Sequence, residues 1–289
     1  MRSAFTFCLG LFLSSSSALA QAGYLQLPQT VSAGAAWSLP THGAGQGVLY
    51  IVGPGQVLKR TFRLGDTLAF SPGELYNAGH YTAFLVSPSA TESTDFDVTA
   101  ATQPESISFL AKPSRLPVSL QNGISGVAYL FDTFQNLMMN PVEVSFQLFE
   151  TGGAVQERTV TARNGVAWVR MNSASRAGIA QFRASAGKVT EKRVVQQVPG
   201  DPCSLRMTAH LAGRRIALET EPVRDCSGNP VPDGTVVTFT ESYHDMETTV
   251  DVPIKRGVAR IEMPANNGAV ISVATGVVLG NTIKWEGGK

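Results

Sequence analysis

The feature that most constrains this chain is that it repeats itself. Asp132 to Phe146 lies without a gap on Asp225 to Phe239. Asp132 falls on Asp225, Asn136 on Asn229, Val144 on Val237 and Phe146 on Phe239. Two further blocks follow in the same order. Gly165-Val166-Ala167 matches Gly257-Val258-Ala259, with Met171 on Met263, and Gly178 to Ala184 matches Gly268 to Ala274. Three blocks in one order at nearly the same spacing make a structural unit of about 90 residues.

Within the unit the hydrophobic period is two. Val142, Val144 and Phe146 fall on one face, with Glu143 and Ser145 on the other. Val237 and Phe239 flank Thr238 in the same way, and Val166 to Met171 alternates between two faces. That is the period of half-buried strands. Turn signals separate the runs: Asn122-Gly123, Gly152-Gly153, Asn164-Gly165, Asp233-Gly234 and Asn267-Gly268. No stretch holds a helical period. Short strands punctuated by turns in a unit of this length predict a β-sandwich.

A more divergent unit precedes the two repeats. Val48 to Val52 and Thr82 to Val86 read as strands, and Asn77-Ala78-Gly79-His80-Tyr81 predicts a tyrosine corner, with the hydroxyl bonded back to nearby backbone. Pro-bearing linkers fall at 100–104 and 198–202. Before all of this, Met1-Arg2-Ser3, the apolar run Ala4 to Leu13 and Ala18-Leu19-Ala20 read as the three regions of a signal peptide cleaved after Ala20. The apolar run is too short to span a bilayer. The expected organisation is all-β: signal peptide 1–20, then three tandem β-sandwiches over 21–100, 104–198 and 202–289. The product is periplasmic or extracellular.

Cleavage matters to two counts. The chain carries 23 basic and 22 acidic residues, so losing Arg2 leaves a neutral protein. Neutrality gives no electrostatic footprint for nucleic acid or an anionic membrane, although a local patch can hide in a neutral total. Losing Cys8 leaves Cys203 and Cys226, and two cysteines in an exported chain suggest one disulfide, with two free thiols as the alternative. Cys203 would start the first strand of the third unit, and Cys226 would end the second strand or begin its turn. The bridge closes a loop of about two dozen residues and contributes about 3 kcal/mol.

Asp225-Cys-Ser-Gly-Asn-Pro-Val-Pro-Asp-Gly-Thr-Val-Val-Thr-Phe239 resembles the strand–turn–strand signature of bacterial Ig-like domains of the invasin/intimin type. Asp132 to Phe146 is a weaker copy, with Gln135 at the glycine position and Leu137-Met138-Met139 in place of the proline region. The resemblance implies an Ig-like sandwich in the second and third units and a role in adhesion, display or spacing. It names no ligand.

Few residues suggest chemistry. His244 lies between Glu241 and Glu247 beside Asp245, where a solvated hairpin loop is favoured over a metal site. Asp95 and Asp97 alternate, and a calcium site would need further oxygen ligands. There is no Gly-x-Ser-x-Gly nucleophile motif, and no cofactor is expected. The candidate partner contacts are Leu137, Met138 and Met139, in a loop where polar residues are the rule, and Trp168, where the next unit has Arg260. The loop could instead pack on a neighbouring domain, and Trp168 could lie in a core. The reading is a non-catalytic structural or binding protein with a protein or cell-surface glycan as partner. The alternative is an accessory subunit of an envelope or fibre assembly. An enzyme with an unrecognised site ranks below both.

Overall fold

The computed structural model describes residues 24–88, 90–150 and 152–287. The expected signal peptide, with Cys8, lies outside the described residues. The chain divides into two compact units, Met1–Thr102 and Gln103–Lys289. Every regular element among the described residues is a β-strand.

The first unit contains β1 (Tyr24–Leu25), β2 (Thr30–Ser32), β3 (Trp37–His42), β4 (Gln46–Gly53), β5 (Gln56–Arg63), β6 (Thr67–Phe70), β7 (Gly79–Val86) and β8 (Thr91–Thr99). They form a three-stranded sheet, β1-β3-β6, and a five-stranded sheet, β2-β8-β7-β4-β5. Side chains alternate across a strand, so Leu49 and Ile51 of β4 and Tyr81, Ala83 and Leu85 of β7 are turned inward together and buried. Leu39 and Phe70 meet them from the smaller sheet. Trp37 stacks on Phe70 at 4.1 Å between ring centroids and reaches Phe96 of β8 at 5.9 Å, so the two sheets share one core. The Tyr81 hydroxyl donates to the Asn77 carbonyl at 2.8 Å, which is the expected corner. Burial pushes the Tyr81 pKa up, and the neighbouring Tyr76 adds to the shift.

The second unit opens with β9 (Ser106–Lys112), β10 (Arg115–Pro117), β11 (Ile124–Phe131), β12 (Val142–Phe149), β13 (Val155–Ala162), β14 (Val166–Met171), β15 (Gly178–Ala186) and β16 (Val189–Val198). The sheets are β14-β11-β9 and β10-β16-β15-β12-β13. Phe109 of β9 meets Phe182 of β15 edge-on at 5.0 Å and Phe146 of β12 at 6.0 Å. Those ring contacts weld the two faces into a sandwich. The short strand β10 runs parallel to β16, as β2 does to β8.

The same unit continues with β17 (Met207–Ala212), β18 (Arg215–Thr220), β19 (Val236–Tyr243), β20 (Met246–Pro253), β21 (Arg260–Pro264), β22 (Val270–Thr275) and β23 (Val278–Lys284). Sheets β17-β18-β21 and β20-β19-β22-β23 enclose a core that includes Ile216, Leu218, Val237, Phe239, Ile271 and Val273. No parallel edge strand is assigned in these two sheets. A covalent bond, Cys203–Cys226, fixes the segment leading into them.

Candidate functional site

The repeated aspartate explains itself in three dimensions. Asp132 Oδ1 accepts the backbone N–H groups of Phe134 at 2.9 Å and Asn136 at 2.8 Å, and Oδ2 accepts the Asn136 amide at 2.9 Å. Asp225 repeats this with Ser227 at 2.9 Å, Asn229 at 2.8 Å and the Asn229 amide at 3.0 Å. The fourth loop residue takes a left-handed backbone in both copies, Gln135 at φ 65° and Gly228 at φ 83°. The carboxylate satisfies N–H groups that the tight loop leaves without strand partners, and the asparagine locks the carboxylate in place.

In the later copy these atoms also reach outside their own sandwich. The Asn229 amide donates to the Ser175 carbonyl at 2.8 Å and accepts from the Ala177 N–H at 3.0 Å. The Ser227 and Ser119 hydroxyls bond to each other. Asp225 Oδ2 accepts the N–H of Gly200, in the connecting segment, at 2.9 Å. Cys203 N–H donates to the Arg224 carbonyl at 3.0 Å, and Cys203 is bonded to Cys226 with the Cα atoms 4.7 Å apart. Loop 225–229 therefore grips both the connecting segment and the preceding sandwich. Burial works to raise the Asp225 pKa, but the hydrogen bonds from Gly200, Asn229 and Ser227 outweigh it and hold the carboxyl below the usual carboxylate range. Cys203 lies ahead of β17 rather than in the first strand, because the bridge belongs to this junction. Cys226 lies in the turn.

The expected exposed loop at Leu137–Met139 needs correction. Met138 is 0% exposed, its side chain in the core and its N–H donating to the Leu130 carbonyl at 3.0 Å. Leu137 is half-buried and bridges to Phe131. It covers Gly165, where a side-chain carbon would fall 2.3 Å from Leu137 Cγ. Only Met139, 58% exposed, faces out. The signal was available: Met138 aligns with Val231, an apolar residue between two prolines, and Val231 is buried too.

Trp168 lies on the outer face of β14, 63% exposed. In register across the sheet it faces Val127 of β11, which faces Leu110 of β9, itself 49% exposed. The next row pairs Val166 with Tyr129, and the row on the other side is polar and cationic: Lys112, Ser125 and Arg170. An apolar strip with a cationic border results.

The remaining candidates are scattered. His244 and Asp245 form the two-residue turn between β19 and β20, with His244 at φ 52°. Glu241 is instead buried and accepts the Asn266 amide at 3.0 Å. Asp95 and Asp97 do share one face of β8. They flank His80 of β7, with Nδ1 3.0 Å from Asp97 Oδ1 and Nε2 3.8 Å from Asp95 Oδ2. Thr82 donates to Asp95 at 2.7 Å. The His80, Asp95 and Asp97 side chains are largely exposed to solvent.

No family model matches the sequence, and no curated protein matches it. Several solved structures are similar in fold. One is the crystal structure of invasin, a bacterial integrin-binding protein, with TM-score 0.47 and 11% identity over 89% of this chain and 57% of that one. Another is a tetra-tandem repeat from the extending region of a large adhesion protein, with TM-score 0.35 and 13% identity over 91% of this chain and 72% of that one. A third is the alpha-2-macroglobulin of E. coli, with TM-score 0.27 and 12% identity over 94% of this chain and 22% of that one. This chain thus spans little more than half the length of the invasin structure.

Proposed function

We propose that the chain is an exported, non-catalytic protein of three tandem Ig-like modules, over 21–100, 104–198 and 202–289, that presents a contact face to a protein or cell-surface glycan. The observation that carries the reading is Trp168. A tryptophan held outward by a rigid strand, beside Val127 and Leu110, is the residue type that dominates interface energetics. Supporting it, each of the three groups with a shifted pKa among the described residues has a structural cause. Tyr81 is the corner, Asp225 is the junction, and Arg260 is raised by its bond to Glu219.

The test is adhesion of beads coated with the full chain to a panel of purified matrix proteins and glycan-bearing surfaces. Trp168→Ala together with Leu110→Ser lowers adhesion about 30-fold or more, the size expected for losing an interface hot spot. Unchanged adhesion by the double variant removes this face. An absence of adhesion by the parent on every surface removes the adhesive role and favours an assembly subunit.

A further inference from the structure

The two repeats use one turn in two ways. After β13 the chain turns at Arg163-Asn164-Gly165-Val166, where Arg163 and Val166 exchange backbone hydrogen bonds of 2.9 and 3.1 Å. Asn164 sits at φ 51° and Gly165 at φ 77°. Asparagine followed by glycine is the pair such a left-handed turn favours. After β20 the same turn is Lys255-Arg256-Gly257-Val258, with hydrogen bonds of 2.9 and 3.3 Å and φ values of 52° and 82°. Arginine has no local reason to occupy that backbone, which disfavours side chains other than glycine, asparagine and aspartate. Asp233 stabilises the turn by accepting the Arg256 N–H at 2.9 Å and the Gly257 N–H at 3.3 Å.

The second change is on the following strand, where Arg260 stands at the position of Trp168. Lys255, Arg256 and Arg260 together line a cleft of about 610 Å³, with Val252, Pro253 and Val258 as its apolar part and no carboxylate in its lining. The cleft lies on the open side of the sandwich, between the edge strands β20 and β21. Arg260 is paired with Glu219 at 2.7 Å. Among the described residues, neither Lys255 nor Arg256 has a carboxylate within ion-pair distance. A chain with a formal net charge of only +1 thus carries a local cationic trough of three side chains, where its own other copy has Arg163, Asn164 and Trp168.

We propose that this trough binds a linear acidic polysaccharide, through carboxylate, sulfate or phosphate groups on successive sugars. Cations along an open cleft suit repeated charges on an extended chain, and an arginine fork matches an oxyanion geometrically. The lining has no aromatic ring on which a nucleobase could stack, which disfavours single-stranded nucleic acid. The inference rests on the binding-protein reading above, but it shares no residue with the Trp168 face, so the two fail separately.

The experiment titrates the full chain with dextran sulfate, neutral dextran, poly-L-glutamate and oligo(dT) at rising salt. The variant is Lys255→Gln with Arg256→Asn; the asparagine is the residue the other copy uses in this turn, Asn164, and so keeps it. Dextran sulfate binds at low salt, weakens as the salt screens the cleft, and binds the double variant about tenfold less tightly. Neutral dextran does not bind, and Trp168→Ala binds dextran sulfate like the parent. The proposal is overturned by an absence of dextran sulfate binding, by equal binding to the double variant, or by a loss with Trp168→Ala. Tighter binding of poly-L-glutamate or oligo(dT) than of dextran sulfate also overturns it, because the partner is then a peptide or a nucleic acid.

Discussion

At the scale of single residues, Asp225 concentrates more of the architecture than any other side chain of the junction. It accepts from the backbone of Gly200, Ser227 and Asn229 and from the Asn229 amide. These bonds need the ionised form. Since the folded carboxyl is held below its ordinary range, the stabilisation is present above the unfolded value. It is lost as pH falls through the folded one. The urea midpoint of the parent should therefore drop as the pH is lowered beneath about 4. Asp225→Asn should lower neutral-pH stability by about 2 kcal/mol, since its amide faces donors, and should flatten the acid-side decline. Equal acid slopes in parent and variant would assign the linkage elsewhere. The repeat made the aspartate–asparagine pair visible in sequence. Its cross-sandwich bonds were not visible, because Ser175 and Ala177 are brought to Asn229 only by the fold.

At the scale of elements, alternation located the strands, but choosing the inward face needed a second strand. In β14 both faces carry apolar residues, Val166 and Trp168 on one and Ala167, Val169 and Met171 on the other. Only the pairing with β11 shows that the second set is buried. The 132–141 loop misled for a related reason. Apolar side chains in a turn look exposed in sequence, yet this one carries a bridge to Phe131 and inserts Met138 into the core. Met138→Ala should cost about 2–4 kcal/mol in denaturant melts, through lost contacts and a cavity. Met139→Ala should stay within about 0.5 kcal/mol. Similar losses from the two variants would mean that the loop is not seated as described.

At the scale of the molecule, the disulfide and the aspartate loop act on the same few residues. The bridge spans a sequence separation of 23, so replacing both cysteines by serine should cost about 3 kcal/mol in the stability of β17–β23. The hydrogen bonds of Ser227 and Asn229 have a different consequence, because they fix orientation rather than the fold of either sandwich. Spin labels at Lys188→Cys, in the turn between β15 and β16, and Asp245→Cys, in the turn between β19 and β20, report the distance across the second unit. Both sites are exposed. The parent should give one narrow distribution. Asn229→Ala with Ser227→Ala removes the bonds to Ser175, Ala177 and Ser119 and should broaden it, with a loss of stability of about 1 kcal/mol from the missing Asn229–Asp225 bond. A broad distribution in the parent would show that these bonds do not hold the sandwiches in register. The two proposed binding faces, one at Trp168 and one at Lys255–Arg260, could then swing independently, whereas a narrow distribution makes their spacing a fixed property of the protein.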